Sequence, residues 1–177
     1  MKRTQNSPPA TLRVAMRAGN TPPVHHSSSP ITIVSGGQTG ADRAALDWAL
    51  ACGGWCQKDR KVQDGPIDLK YPLKETPSES YIQRTEWNVR DSDATVLFSI
   101  EPTLTGGSLR TMEFARKHGK PHLHLCARND TSAEKLRAFF ECHDVKVLNV
   151  AGPRASTEPK LGQFVMALLD EVLGVLD

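Results

Sequence analysis

Apolar runs and segments of helical periodicity alternate along this chain. Uninterrupted runs of apolar and β-branched residues predict buried strands at 31–34, 94–99, 122–126 and 145–150, and a short strand at 55–56. Apolar side chains at helical spacing predict helices at 41–49, 77–90, 106–115, 131–143 and 157–173. Strands that alternate with helices predict an α/β fold of three layers, an open, mostly parallel sheet with at least four strands and helices on both faces.

Hydroxyl side chains precede several of the predicted helices. Thr39 is the predicted N-cap of the first helix. Thr76 followed by Glu79, and Thr131 followed by Glu134, have the spacing of a capping box before the second and fourth helices. We therefore expect these helices to begin next to the threonines.

A glycine-rich turn joins the first strand to the first helix. Glycine permits close approach of the backbone to a ligand, and a helix N-terminus presents free N–H groups and a positive dipole end to an anion. The turn thus predicts a phosphate-binding loop made of Gly36, Gly37, Gln38, Thr39 and Gly40. Gly37→Val should then abolish ligand binding in a protein that still folds. The alternative is a tight strand–helix turn that needs its glycines for chain geometry alone.

A second turn of this kind follows the strand at 94–99, where Thr105, Gly106, Gly107 and Ser108 lead into the third helix. In an open parallel sheet, the turns after the strands lie at the carboxyl edge, where ligands collect. We therefore predict that the two glycine turns border one cleft and together bind phosphate-like oxygens.

Polar side chains recur along one face of the second helix. Tyr81, Arg84, Asn88 and Asp91 lie at the i, i+3, i+7 and i+10 positions. Such a stripe is usually a solvated surface, but the rest of this helix is hardly more apolar, so a polar binding site competes with that interpretation. We predict that Arg84 and Asn88 bind ligand. Arg84 and Arg110 are the predicted counter-charges, because guanidinium groups bind phosphate through two hydrogen bonds.

Composition limits the classes of partner. A net charge of +2 over 177 residues does not argue for nucleic acid or an anionic membrane, and no apolar run is long enough to span a bilayer. The four cysteines lack CxxC spacing, which favours reduced thiols in a cytoplasmic protein. His122, His124 and Cys126 share a strand face, but neighbours about 7 Å apart suit one ion poorly, so no metal site is predicted.

Residues 1–29 differ from the remainder, because they contain four prolines and no acidic residue. This composition predicts a disordered tail, followed by one ligand-binding domain over residues 30–177. The tail has two alternative interpretations. It is a transit peptide, or the start codon is placed too far upstream and Met16 or a later codon is the true start. Apolar residues near the end of the last helix would permit a homo-oligomer: Leu173, Val175 and Leu176.

Six motifs occur in the order found in a known family. They lie at 35–47, 54–61, 64–67, 71–76, 84–95 and 104–108. In this order they resemble the molybdenum carrier-like family, which belongs to a Rossmann-like superfamily of nucleotide-binding and nucleotide-processing domains. The resemblance is dense over residues 31–126, and Gln57 and Asp59 depart from the family pattern. It implies a Rossmann-like fold and a carrier of the molybdenum cofactor, a pterin that bears a phosphate.

Relatives in that superfamily suggest a second function. They include phosphoribohydrolases, which cleave the base from a nucleoside monophosphate and carry the pattern Pro-Gly-Gly-x-Gly-Thr-x-x-Glu with an upstream arginine. Gly106, Gly107 and Glu113 match this pattern, and Arg84 is the candidate for the arginine. Three positions depart from it: Thr105, Leu109 and Arg110. The resemblance therefore favours a carrier of a phosphorylated small molecule, with a hydrolase that uses Glu113 and Arg84 as the alternative.

Overall fold

The computed structural model describes residues 31–174, so the predicted tail, Val175 and Leu176 lie outside the described residues. The strands are β1 (Thr32–Val34), β2 (Cys52–Gly53), β3 (Trp55–Cys56), β4 (Lys61–Val62), β5 (Gly65–Pro66), β6 (Lys74–Glu75), β7 (Ala94–Ser99), β8 (His122–Cys126) and β9 (Val147–Ala151). The helices are α1 (Ala41–Trp48), α2 (Tyr81–Arg90), α3 (Gly106–Lys117), α4 (Ser132–Cys142) and α5 (Leu161–Leu173). No helix in this range is long and apolar enough to cross a membrane.

The main sheet has five parallel strands in the order β2-β1-β9-β7-β8. If β9 is counted first, this order reads 3-2-1-4-5, which is a doubly wound arrangement. From the centre of the sheet, the chain order runs outward from β1 to β2 on one side and from β7 to β8 on the other side. The topological switch point therefore lies between β9 and β7. The predicted Rossmann-like α/β fold is confirmed.

One face of the sheet carries the main hydrophobic core. Helices α1, α4 and α5 pack on this face, and the whole of β7 is buried between layers, as its unbroken apolar run predicts. The largest side chains of this core are fully or almost fully buried: Ile33, Val96, Phe98, Leu125, Leu136, Leu148, Val150, Leu161, Val165 and Leu169. Burial of each such side chain contributes about 1.5–3 kcal/mol, so this face supplies most of the stability.

The opposite face, under α2 and α3, is more polar. Side chains alternate along a strand, so Thr95 of β7 and Asn149 of β9 point away from the main core, and the Asn149 amide donates to Thr95 Oγ1 at 3.2 Å. A small apolar cluster on this side contains Val89, Phe114 and Ala115. Two helices over a polar sheet face leave room for a cavity.

The predicted start of the first helix at residue 41 is correct, but two of the predicted N-caps are wrong because tertiary contacts take the threonines. Helix α1 begins at Ala41 with Gly40 as N-cap, and Thr39 Oγ1 instead accepts from the Ala155 N–H at 3.4 Å. Helix α2 begins at Tyr81, whereas the hydroxyl of Thr76 is buried and donates to Cys56 O and Ser78 O.

Thr131 does occupy the N-cap position of α4, but its side chain makes no capping hydrogen bond there. It donates to Asn129 Oδ1 at 2.7 Å. The last helix begins at Leu161 rather than near residue 157, because the segment before it forms a turn in which the N–H groups of Thr157 and Glu158 both donate to Arg154 O.

The aperiodic segment 57–75 folds around the side chain of Arg60. Its guanidinium donates to four backbone carbonyls, those of Ile67, Asp68, Tyr71 and Leu73, at 2.8–3.1 Å. These bonds hold the apolar side chains of the segment against α1 in a second, smaller cluster. Arg60 is therefore occupied by the fold and is not available to an anion.

Candidate functional site

A cavity of about 390 Å³ opens at the carboxyl ends of β1, β7 and β9, next to the switch point. Gly36 from the first glycine turn, and Gly106 and Gly107 from the second, line the same cavity. The prediction that both turns border one cleft is therefore confirmed. The remaining walls come from α2 and from residues 149–158, which include the end of β9 and the segment after it.

The glycines of the first turn face protein rather than open space. Gly37 has a φ of 72°, and a Cβ there would lie 2.7 Å from Ile67 Cδ1 and 2.8 Å from Leu73 Cδ1. Gly40 has a φ of 90°, and its Cβ would lie 2.5 Å from Pro153 O. Both positions need glycine for chain geometry, as the alternative interpretation of this turn holds. The prediction that Gly37→Val leaves the fold intact is wrong, because valine would be strained and would press on Ile67 and Leu73.

Gly36 has a different neighbour, the guanidinium of Arg84. A Cβ at Gly36 would overlap Arg84 Nη1, and this same Nη1 forms an ion pair with Asp42 Oδ2 at 3.0 Å. The two side chains are only 11% and 7% exposed. Burial raises the pKa of the Asp42 carboxyl, and the Arg84 guanidinium opposes that shift. Arg84 Nε is buried without an acceptor among residues 31–174, so Arg84 lies in the cavity wall with its charge balanced and one N–H unused.

Gln38 and Asn88 also line the cavity, but their side chains hold backbone groups. Gln38 Oε1 accepts from Thr39 N–H at 3.0 Å and from Gln63 N–H at 3.3 Å. Asn88 accepts from the N–H of Trp55 and donates to its carbonyl, both at 2.8 Å. These residues lie where the sequence places them, and their hydrogen bonds explain their presence without a ligand.

The second glycine turn is open toward the cavity. Apart from the adjacent residues and the backbone of α3 itself, no described atom lies within 4 Å of the position that a Cβ would take at Gly106 or Gly107. Thr105 is the N-cap of α3 and makes no side-chain capping bond, and the first helical bond runs from Leu109 N–H to Thr105 O. The N–H groups of Gly106, Gly107 and Ser108 donate to no acceptor within the described part of the chain. A helix N-terminus of this kind attracts anions.

Arg154 is a site residue that the sequence analysis missed. It lies in the segment between β9 and α5, lines the cavity and is exposed, and its side chain makes no ion pair or hydrogen bond within residues 31–174. Two hydrogen bonds anchor its neighbours, from Ala155 N–H to Thr39 Oγ1 and from Ser156 Oγ to Gln63 Oε1. The sequence does show that Arg154 comes directly after a predicted strand. This position indicates a place at the cavity only when β9 is known to lie at the centre of the sheet.

Arg110 and Glu113 lie outside the lining of the cavity. Both side chains are about half exposed, and Arg110 Nε lies 3.4 Å from Glu113 Oε2 across one turn of α3. The structure therefore does not bring the second predicted counter-charge, or the carboxylate of the hydrolase alternative, to the cavity.

The histidines and cysteine of β8 make local contacts. His124 Nε2 lies 2.7 Å from Ser99 Oγ, and burial lowers the pKa of this histidine. Cys126 Sγ donates to Ile100 O at 3.0 Å. Among residues 31–174, no three histidine, cysteine or acidic side chains form a group suited to a metal ion.

Comparisons with known proteins agree with this architecture. Residues 33–173 match the circularly permutated YpsA SLOG family. The chain is 42% identical to a protein from Syntrophus aciditrophicus SB named "putative molybdenum carrier protein", whose crystal structure at 1.45 Å superposes with a TM-score of 0.79 and covers 82% of this chain and 96% of that one. No curated protein matches the chain significantly.

The strand order agrees with a circular permutation of the doubly wound fold. The strand that a doubly wound sheet would number first is β9, which here comes last in the chain. The resemblance to the molybdenum carrier-like family is confirmed by the crystal structure and its sequence identity. Since the family match covers nearly the whole described range, the chain belongs to the circularly permutated YpsA SLOG family.

Proposed function

We propose that the protein is a cytoplasmic carrier that binds a phosphate-bearing small molecule in the cavity between α2, α3 and β9. The molybdenum cofactor is the first candidate ligand, and a related pterin or nucleotide is the second. One observation carries the proposal: the N-terminus of α3 faces the cavity with the N–H groups of Gly106, Gly107 and Ser108 unused. The name of the related protein from Syntrophus aciditrophicus SB supports the choice of ligand.

Size and lining fit a polar small molecule. About 390 Å³ lies within the range of about 300–1,000 Å³ found for small-molecule sites. Hydroxyl groups make up much of the wall: Tyr81, Thr85, Thr103, Thr105, Ser108, Thr111, Ser156 and Thr157. Hydroxyls can donate or accept, so this lining suits phosphate oxygens and the heteroatoms of a ring more than an apolar ligand.

The counter-charge is assigned by comparing three arginines. Arg84 is balanced by Asp42, and Arg110 is paired with Glu113 outside the cavity. Arg154 remains, exposed in the cavity wall and unpaired within residues 31–174. We infer that Arg154 and the α3 N-terminus together bind the anionic group, while Arg84 offers its Nε–H from the wall.

The proposal is tested at Gly107, where a larger side chain costs the fold little. Gly107→Val places a branched side chain in open space at the start of α3 and should block the ligand. The matched control is Gly53→Val, since no described atom lies near a Cβ at Gly53 and this residue does not line the cavity.

The measurement is native mass spectrometry of protein purified from its own host, with melting temperatures in parallel. We expect a bound small molecule in wild type and in Gly53→Val, and its loss in Gly107→Val. Because a bound ligand itself stabilises the fold, melting temperatures are compared after the ligand has been removed from all three proteins, and these should be equal. The same bound mass in Gly107→Val as in wild type would contradict the proposed site.

Negligible turnover of nucleoside monophosphates is a further expectation. Cleavage of the base needs a carboxylate beside the sugar. Glu113 lies outside the cavity lining, Asp42 is buried and paired with Arg84, and the Glu158 carboxylate in the wall is held by the Ile100 N–H. Incubation of the protein with a panel of nucleoside monophosphates, followed by chromatography, should show no free base. Base release by wild type that disappears in Glu113→Gln would contradict the carrier proposal and support the hydrolase alternative.

A further inference from the structure

Two segments without regular structure form adjoining parts of the cavity wall. Residues 100–105 connect β7 to α3 and lead directly to its N-terminus, and residues 152–158 follow β9 and contain Arg154. The relative position of these two segments sets the distance between the guanidinium and the free N–H groups of the proposed anion site. Neither segment belongs to the sheet or to a helix, and no backbone hydrogen bond joins the two segments within residues 31–174.

Glu158 connects the two segments. Its Oε2 accepts from Ile100 N–H at 2.6 Å, and its Oε1 lies 3.5 Å from Glu101 N, at the limit of a hydrogen bond. The N–H of Glu158 donates to Arg154 O at 2.9 Å, which ties the carboxylate to the turn that carries the guanidinium. Bonds from backbone N–H groups to a carboxylate are charge-assisted and stronger than neutral ones.

Other contacts of the 100–105 segment do not connect it to residues 152–158. The ion pair between Glu101 and Arg128 is exposed on both sides, and such pairs contribute little. The hydroxyl of Ser99 donates to Glu101 O, but this bond lies within one continuous stretch of chain. Among residues 31–174, the side-chain hydrogen bonds between the two segments are those of Glu158.

We propose that Glu158 is a positioning residue, whose carboxylate braces the segment of Arg154 against the segment that ends at the α3 N-terminus and so preorganises the anion site. This inference rests on the proposed function. A preorganised site binds more tightly because less conformational freedom is lost on binding.

The sign of the effect distinguishes this role from simple electrostatics. A carboxylate in the wall of an anion site repels the anion, so its removal should strengthen binding if charge is all that it contributes. If Glu158 acts as a brace, removal should weaken binding although a negative charge has gone.

The experiment compares Glu158→Ala and Glu158→Gln with wild type, using inorganic phosphate as the probe in ³¹P NMR titrations. Amide hydrogen exchange of the free proteins is measured in parallel. We expect phosphate binding about tenfold weaker in Glu158→Ala, equivalent to about 1.4 kcal/mol, with faster exchange confined to residues 100–108 and 152–158. Glu158→Gln keeps one carbonyl acceptor for Ile100 N–H and should fall between the two. It also replaces the alanine variant if that variant does not fold.

The control is Glu101→Gln, which removes a carboxylate from the same segment and leaves both Glu158 contacts in place. It should bind phosphate as well as wild type or slightly better. Equal or tighter binding in Glu158→Ala, or faster exchange spread over the whole domain, would overturn the brace. If wild type binds no phosphate, the proposed function fails, and the exchange data alone decide whether Glu158 joins the two segments.

Discussion

Asp42→Ala is expected to lower the free energy of unfolding by about 3 kcal/mol, because it leaves the guanidinium of Arg84 buried without its carboxylate. The Arg84 side chain is only 11% exposed and lies directly against Gly36, so most of its charge is away from solvent. The loss is measured by urea unfolding at pH 7 in buffer without phosphate. The matched control is Glu171→Ala, whose ion pair with Arg137 has the same 3.0 Å separation but side chains that are 46% and 55% exposed.

The N–O distance and the charges are the same in both pairs, so the comparison tests burial, together with the 3.4 Å hydrogen bond that Asp42 Oδ2 accepts from Gln38 N–H. Exposed ion pairs contribute about 0–1 kcal/mol, so Glu171→Ala should cost less than one third of the loss seen in Asp42→Ala. The double variant Asp42→Leu/Arg84→Met should recover most of the stability, because it removes both charges together. Equal losses in the two single variants would mean that water in the cavity screens the Asp42–Arg84 pair.

Much of the fold could be predicted from local patterns. The unbroken run at 94–99 predicts a strand covered on both sides, and β7 is buried at every position. Helical spacing locates α5, whose inward residues Leu161, Val165 and Leu169 join the main core. These predictions succeed because burial on one or both faces of an element determines its residue pattern directly. The order of strands in the sheet has no such pattern, and β9 lies at the centre although it comes last.

The same distinction explains which site residues were found. Gly106 and Gly107 follow a predicted strand and begin a predicted helix, so their place at the cavity could be inferred locally. Arg154 lies at the cavity only because β9 lies between β1 and β7, which no local pattern indicates. Thr39 and Thr76 have the spacing of caps, but distant backbone groups bind their hydroxyls. Capping rules use only the residues next to the helix end and do not include such tertiary competitors.

The two glycine turns look alike in sequence and differ in what they face. Gly37 and Gly40 are pressed against Ile67, Leu73 and Pro153, whereas Gly107 faces open space in the cavity. In the first turn, glycine lets the backbone lie close to other protein atoms. In the second turn, glycine leaves the backbone open to the cavity. Phosphate binding by the first turn stays a prediction. The second turn carries the proposed function, and Arg154 is the counter-charge proposed for it.

Arg154→Ala is expected to weaken phosphate binding by about 10- to 100-fold, since hydrogen bonds to charged groups contribute about 1.5–3 kcal/mol. Its side chain makes no contact that the fold requires within residues 31–174, so the melting temperature should stay unchanged. Arg110→Ala is the matched control, because it removes an exposed arginine from α3 next to Glu113 and outside the cavity. Titration with inorganic phosphate at two salt concentrations measures both effects, and the loss in Arg154→Ala should be larger at low salt because salt screens exposed charges. If Arg110→Ala loses affinity and Arg154→Ala does not, the anion binds along the outer face of α3, and the site assigned to the cavity is wrong.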